Sequence, residues 1–237
     1  VTRDRLLLAN VLVVALCALV YELLCGTLAS YLLGDAVLQF SLVLGTYLFA
    51  MGAGAWASRA LERRAAFHYV QTELLLALVG GLSVPALLLG VAAHVPLRPA
   101  LYATVFAVGA LVGLELPLLV KILRDRANDE QGAAPRFGDS SAPPAPRFGD
   151  TVARALAYDY VGALAASLVF PLVLVPRLGL VRTSVVAGAV NALVAVSATF
   201  VVKLPRANML RAAAAAILAG LALTFVRGEA WVRAATD

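Results

Sequence analysis

Four acidic side chains sit where acids are expensive. Asp159 lies between Tyr158 and Tyr160 in the run Ala155-Leu-Ala-Tyr-Asp-Tyr-Val-Gly-Ala-Leu-Ala-Ala-Ser167, otherwise apolar enough to cross a bilayer. Glu22, Glu73 and Glu115 occupy three other apolar runs, none with a Lys or Arg near its centre. A charge in such a place costs roughly 2.5–3.5 kcal/mol on insertion scales. The physical remedies are a protonated carboxyl, a hydrogen bond to tyrosine, a water-filled cavity or a bound cation. Tyr21 adjoins Glu22, the two tyrosines flank Asp159, His68 and Gln71 precede Glu73, and Asn191 is the one amide deep in its run. Carboxylates with aromatic faces suit an organic ammonium, through charge and cation–π attraction. The candidate ligand-binding set is therefore Glu22, Glu73, Glu115, Asp159, Tyr21, Tyr158, Tyr160 and Asn191. Each also has a plain reading: acids satisfied by backbone carbonyls, tyrosines and Asn191 as hydrogen-bond links between helices, His68 as an interfacial residue.

The elements that must carry these residues follow from composition. Of 237 residues, 62% are apolar, and the mean hydropathy is +0.91. Soluble domains are nearer half apolar. The fold class expected is all-α, a polytopic transmembrane helix bundle of about seven spans. These run from about Leu6 to Leu33, Val37 to Leu61, Ala66 to His94, Pro99 to Leu123, Thr151 to Pro176, Leu180 to Val202 and Met209 to Val226. Gly80-Gly81 and Pro85 predict a kink in the third. The first run is too long for a cleaved leader and lacks an A-x-A site. A start at Val1 in place of Met points to further residues upstream. Tyr31, Trp56 and Trp231 fit an aromatic belt. Cys17 and Cys25, eight apart in one apolar run, read as small core residues, since they form neither a disulfide framework nor a metal spacing.

The chain reads as one transmembrane domain with one composition break. Residues 124–150 are rich in Pro, Ser, Gly and charge and predict a flexible loop. They hold a direct repeat, Ala134-Pro-Arg-Phe-Gly-Asp139 and Ala145-Pro-Arg-Phe-Gly-Asp150, which reads most simply as a tandem duplication in a tolerant linker. Basic residues set the orientation. With the N-terminus inside, fourteen of the nineteen Lys and Arg fall on the inner side, leaving Arg98, Arg177, Arg182, Arg227 and Arg233 outside. That bias places the N-terminus and the repeat loop in the cytoplasm of a cell with this protein in its inner (plasma) membrane. It also explains the net charge of +5 without a nucleic-acid partner. On this topology Glu73, Glu115 and Asp159 lie at one depth on consecutive helices, roughly 10 Å from the inner surface, and could line one cavity, with Glu22 deeper.

There is no P-loop, no HExxH, no GxSxG and no Cys/His cluster, so no cofactor, metal or catalytic residue is called for. Gly52-Ala-Gly54 lies mid-span and serves packing. Small residues at Ser41, Gly45, Gly162 and Ala166 suit close helix contact and a homodimer.

Several runs resemble one family. They are Ala18-Leu-Val-Tyr-Glu-Leu-Leu24, Ser41-Leu-Val-Leu-Gly-Thr-Tyr-Leu-Phe-Ala-Met-Gly-Ala-Gly54 and Gly113-Leu-Glu-Leu-Pro-Leu-Leu119, with the long run from Tyr158 to Gly179. Together they resemble the N-terminal membrane region of bacterial membrane-bound spermidine synthase-like proteins. The resemblance implies helices ahead of a soluble aminopropyltransferase domain. That domain, with its glycine-rich loop and catalytic Asp, is not in this sequence, so no aminopropyl-transfer residue carries over. Seven spans would place a following domain outside the cytoplasm. Three functions stay open at this point: binding a polyamine or other organic cation, anchoring and dimerising an enzyme with no ligand, and proton-coupled transport of small cations.

Overall fold

The computed structural model describes residues 2–133, 148–202, 204 and 206–236. The described residues are almost entirely helical. The helices are α1 (Thr2–Leu33), α2 (Ala36–Ala57), α3 (Ala65–Ala92), α4 (Leu97–Ala133), α5 (Phe148–Val169), α6 (Val175–Val201) and α7 (Ala207–Thr236). A tight 3-10 turn, Ser58–Arg64, joins α2 to α3, and a π-helical turn, Phe170–Leu174, joins α5 to α6.

By length and composition, five continuous helical segments are long and apolar enough to cross a membrane, not about seven. The physical reason is that two of the expected breaks are themselves helical. Segments 36–92 and 152–201 therefore run to 57 and 50 residues, each holding two of the expected spans. Helix also extends past two expected ends. It continues beyond Leu123 to Ala133, and it begins again at Phe148. The remainder of the repeat segment, 134–147, lies outside the described residues.

Contacts fix the direction of each helix. Phe40 lies over Gly26 and the Tyr47 hydroxyl donates to Ala18 O at 2.9 Å, so α2 runs antiparallel to α1. Tyr102 donates to Gln39 Oε1 at 3.2 Å and Gly113 abuts the Met51 backbone, so α4 runs with α2. Tyr21 covers Gly80, while Leu7 and Val11 share a cluster with Ala65 and Tyr69, so α3 runs with α1. Gly162 abuts Leu12 and Phe170 joins the cluster of Cys17 to Leu28, so α5 also runs with α1. Ser197 donates to Asn10 Oδ1 at 3.0 Å, and α6 runs against it. Gly228 lies beside Val181 and Leu210 packs with Ala198, which makes α7 antiparallel to α6. Successive helices therefore alternate in direction.

The reversals have local causes. Gly34 (φ 71°) and Asp35 (φ 43°) make a two-residue left-handed turn, and the Asp35 carboxylate accepts the Leu38 N–H at 3.2 Å to cap α2. Within α6, Gly179 sits at φ 72°, ψ 175°, a region essentially reserved for glycine, and there the chain turns back. The helix α3 stays helical through Gly80, Gly81 and Pro85.

Two apolar clusters stack along the bundle. One holds Leu7, Val11, Tyr69, Leu118, Leu119, Ala155 and Ala198, at the end where Arg126 donates to Val201 O and Arg211 Nε donates to Thr199 Oγ1 at 2.9 Å. The other holds Tyr21, Leu24, Leu28, Tyr47, Leu76, Leu101 and Phe170. Both cysteines are free and buried in the second cluster.

Candidate functional site

The site forms where the two clusters meet. Gly113 lets α4 approach the Met51 backbone of α2, and Gly162 lets α5 approach Leu12 of α1. A Cβ at either glycine would collide with main chain, so only glycine permits these helix spacings. The close pairing of α1 with α5 and of α2 with α4 leaves α4 and α5 only lightly joined. A cavity of about 80 Å³ opens there. Glu115 and Leu116 of α4, Asp159 of α5 and Tyr69 of α3 line it, with an aliphatic wall from Val11 to Ala18 of α1 and Met51 of α2.

Three of the four expected acids converge. Glu115 and Asp159 share the cavity, and Glu115 stands within Coulombic reach of both Asp159 and Glu73. Glu73 sits one turn beyond Tyr69 on α3, behind the cavity wall. Glu73 is 0% exposed and Glu115 4%, while Asp159 is half-buried at the mouth. Glu115 Oε1 has no hydrogen-bond partner among the described residues, while the Tyr69 hydroxyl and the Glu73 carboxyl are turned to each other as a loosely aligned hydrogen-bonding pair. Buried polar atoms in folded proteins are nearly always satisfied. Leaving one unpaired costs about 1–3 kcal/mol.

The remaining expected residues lie elsewhere. Glu22 is half-buried on α1, one turn past the cavity, near Cys25 and Tyr47. Tyr158 and Tyr160 do not line the cavity and are 40% and 70% exposed. Helix geometry explains this. Successive residues are rotated by roughly 100°, so the two neighbours of an inward-facing Asp159 turn outward. Tyr21 is buried but packs over Gly80, with its hydroxyl unpartnered among the described residues. Asn191 is buried on α6, its Oδ1 likewise unpartnered, and is outside the cavity lining. His68 Nδ1 and Gln71 Oε1 pair at 3.1 Å. Gly162 and Ala166 are consumed in packing within the chain, so they offer no surface to a second copy. Among the described residues no group of three or more His, Cys, Asp or Glu is arranged to hold a metal ion.

Sequence reasoning missed Tyr69, which lines the cavity, and Tyr47, which lies outside it and ties α2 to the Ala18 carbonyl of α1. The signal for Tyr69 was present: it stands at i−4 from Glu73, on the same helix face. Tyr47 carried no such mark, because its neighbours are on other helices.

The run bearing Glu115 and the run bearing Asp159 both come from the segments that carried the family resemblance, and comparison with known proteins agrees with it. The chain is 48% identical over 195 residues to polyamine aminopropyltransferase 2 of Ralstonia nicotianae, covering 81% of this chain and 35% of that protein. It is 41% identical over 218 residues to the polyamine aminopropyltransferase of Leptospira interrogans, covering 91% of this chain and 40% of the relative. This chain is homologous to the polyamine aminopropyltransferases. A further homologue, polyamine aminopropyltransferase 2 of Streptomyces coelicolor, is 39% identical over 248 residues, covering 97% of this chain and 41% of that protein. The chain thus spans between about a third and two fifths of the length of these polyamine aminopropyltransferases. No family model matches the chain, and no solved structure gives a significant match.

Proposed function

We propose that this chain is the membrane domain of a spermidine synthase-like protein, and that it binds a polyamine or other organic cation in the cavity between α1, α4 and α5. The observation that carries the reading is the convergence of Glu115 and Asp159 on one cavity, with Glu73 behind and Glu115 Oε1 unpartnered among the described residues. Acids gathered without a neighbouring base favour a positive guest. The homologues, polyamine aminopropyltransferases, suggest its class. In a full-length protein the domain would pass that cation to, or receive it from, a synthase domain.

The reversals at Ser58–Arg64 and Gly179 let each of the two long segments cross a bilayer twice, with the N-terminus in the cytoplasm of a cell whose inner membrane holds the chain. The aromatic side chains Tyr31, Trp56 and Trp231 are exposed and fit the interface of such a bilayer. The test is spermidine binding to the purified chain in nanodiscs, wild type against Asp159→Asn and Glu115→Gln. Each substitution removes one carboxylate from the cavity and is expected to weaken binding at least about tenfold, the worth of one charge-assisted hydrogen bond. Equal affinity in all three would leave a tether. The tether has one observation in its favour: the cavity is small for a ligand site, which ordinarily measures roughly 300–1,000 Å³.

A further inference from the structure

The basic residues at the cytoplasmic end of the bundle are not equivalent. Lys121 donates to Asp125 at 2.6 Å, and Arg126 and Arg211 donate to oxygens in the last turn of α6. Those charges are already used within the chain. The turn Ser58–Arg64 is different. It carries Arg59, Arg63 and Arg64 against Glu62, all four exposed, a net charge of +2 within seven residues. None of the three arginines has a hydrogen bond or an ion pair among the described residues. Resting on the membrane placement above, we propose that this turn, together with Trp56, binds the phosphate headgroup of an anionic phospholipid.

Depth is the first argument. The outer face of α2 is apolar, with Leu48 55% and Phe49 71% exposed, and it ends at Trp56, 71% exposed. Exposed tryptophans favour the headgroup level of a bilayer. At roughly 1.5–2 Å per residue Arg59 starts about 5 Å beyond Trp56, within reach of the lipid phosphates. The second argument is that the turn is pinned. Leu61 packs against the cluster of Leu118 and Leu119, Ala65 is buried, and the Ser58 hydroxyl donates to Ala55 O at 2.7 Å. The backbone is held while the arginines stay exposed, so little order is lost when a headgroup docks. The third is chemistry. A guanidinium forks onto two phosphate oxygens and is more weakly hydrated than an ammonium. A zwitterionic headgroup brings its own cation to the same place, whereas an anionic one does not. The side of the membrane agrees, since the cytoplasmic leaflet carries the anionic lipids.

The experiment uses Trp56 as its own reporter, with the second tryptophan removed by Trp231→Phe. The full chain in that background is placed in phosphatidylcholine vesicles that carry a fixed fraction of either phosphatidylglycerol or phosphatidylcholine with brominated acyl chains, which quench a neighbouring indole. Brominated phosphatidylglycerol is expected to associate at least about fivefold more strongly than brominated phosphatidylcholine at low salt, the worth of one arginine at a charged surface. The preference should shrink in about 1 M salt, where such attraction is screened. It should fall toward unity in Arg59→Gln/Arg63→Gln. Equal quenching by the two lipids overturns the inference and leaves the arginines to an acidic protein surface. A preference that persists in the double substitution overturns it as well. So does one lost to the same extent in Arg154→Gln/Arg206→Gln, because it would belong to the whole basic end and not to this turn. In those three cases Trp56 is still quenched by lipid, and the membrane placement stands. Quenching by neither lipid removes that placement and the inference together.

Discussion

At the residue scale, the molecule keeps polar atoms where an apolar side chain of similar size would be more stable. Glu73 is the clearest instance, 0% exposed and turned only loosely to the Tyr69 hydroxyl. Replacing a buried, poorly satisfied charge by a packed hydrophobe is often stabilising. Glu73→Leu is therefore expected to raise the unfolding midpoint of the detergent-solubilised chain, by about 1–3 kcal/mol of stability. A fall in the midpoint would mean that Glu73 is held by a favourable network. If stability rises while spermidine binding weakens, the acid is retained for its guest. Tyr69→Phe keeps the packing but takes from the buried Glu73 the hydroxyl that faces it, so the unfolding midpoint should fall, and an unchanged midpoint would show that the pair contributes nothing.

At the element scale, glycines decide which helices can touch. A Cβ at Gly113 would overlap the Met51 backbone of α2, whereas one at Gly45 would meet nothing within 4 Å. Gly113→Ala should lower stability, since backbone cannot yield as a side-chain tip can, while Gly45→Ala should gain about 0.5–1 kcal/mol from its helix propensity. Thermal unfolding of the pair checks both signs. Gly179 is different in kind. Its φ of 72° and ψ of 175° belong to a region open only to glycine, so Gly179→Ala should cost about 1–3 kcal/mol and loosen α6 from α3. Cysteine cross-linking between facing positions on the two helices would reveal that loosening, and unchanged cross-linking would show that the turn tolerates a side chain. The glycines themselves were visible in the sequence. What each one faces was not, because that is a property of another helix.

At the scale of the whole molecule, the alternating directions bring Ser58–Arg64 to the same end as the Arg126 and Arg211 contacts, while the α3–α4 connection lies at the other. If segment 36–92 crosses a bilayer twice, a cysteine at Glu62 and one at His94 should be labelled from opposite faces of oriented vesicles. The native Cys17 and Cys25 are buried and should stay silent. Labelling of both from one face would defeat the double crossing.

The sequence alone determined the helical class, the apolar runs, the four costly acids and the family they point to, because each depends on composition or on spacing along one strand of chain. It also led to the expectation that Glu73, Glu115 and Asp159 lie at one level, by counting residues along helices of assumed direction, and Glu115 does stand within Coulombic reach of the other two. Only the tertiary structure decided that Glu115 and Asp159 meet in one cavity, that Tyr69 joins them, and that Tyr158, Tyr160 and Asn191 do not. Those outcomes depend on how far each helix is rotated about its own axis. Rotation is set by close packing between segments distant in sequence, at Gly113 on Met51 and Gly162 on Leu12, and no local pattern in the chain encodes it.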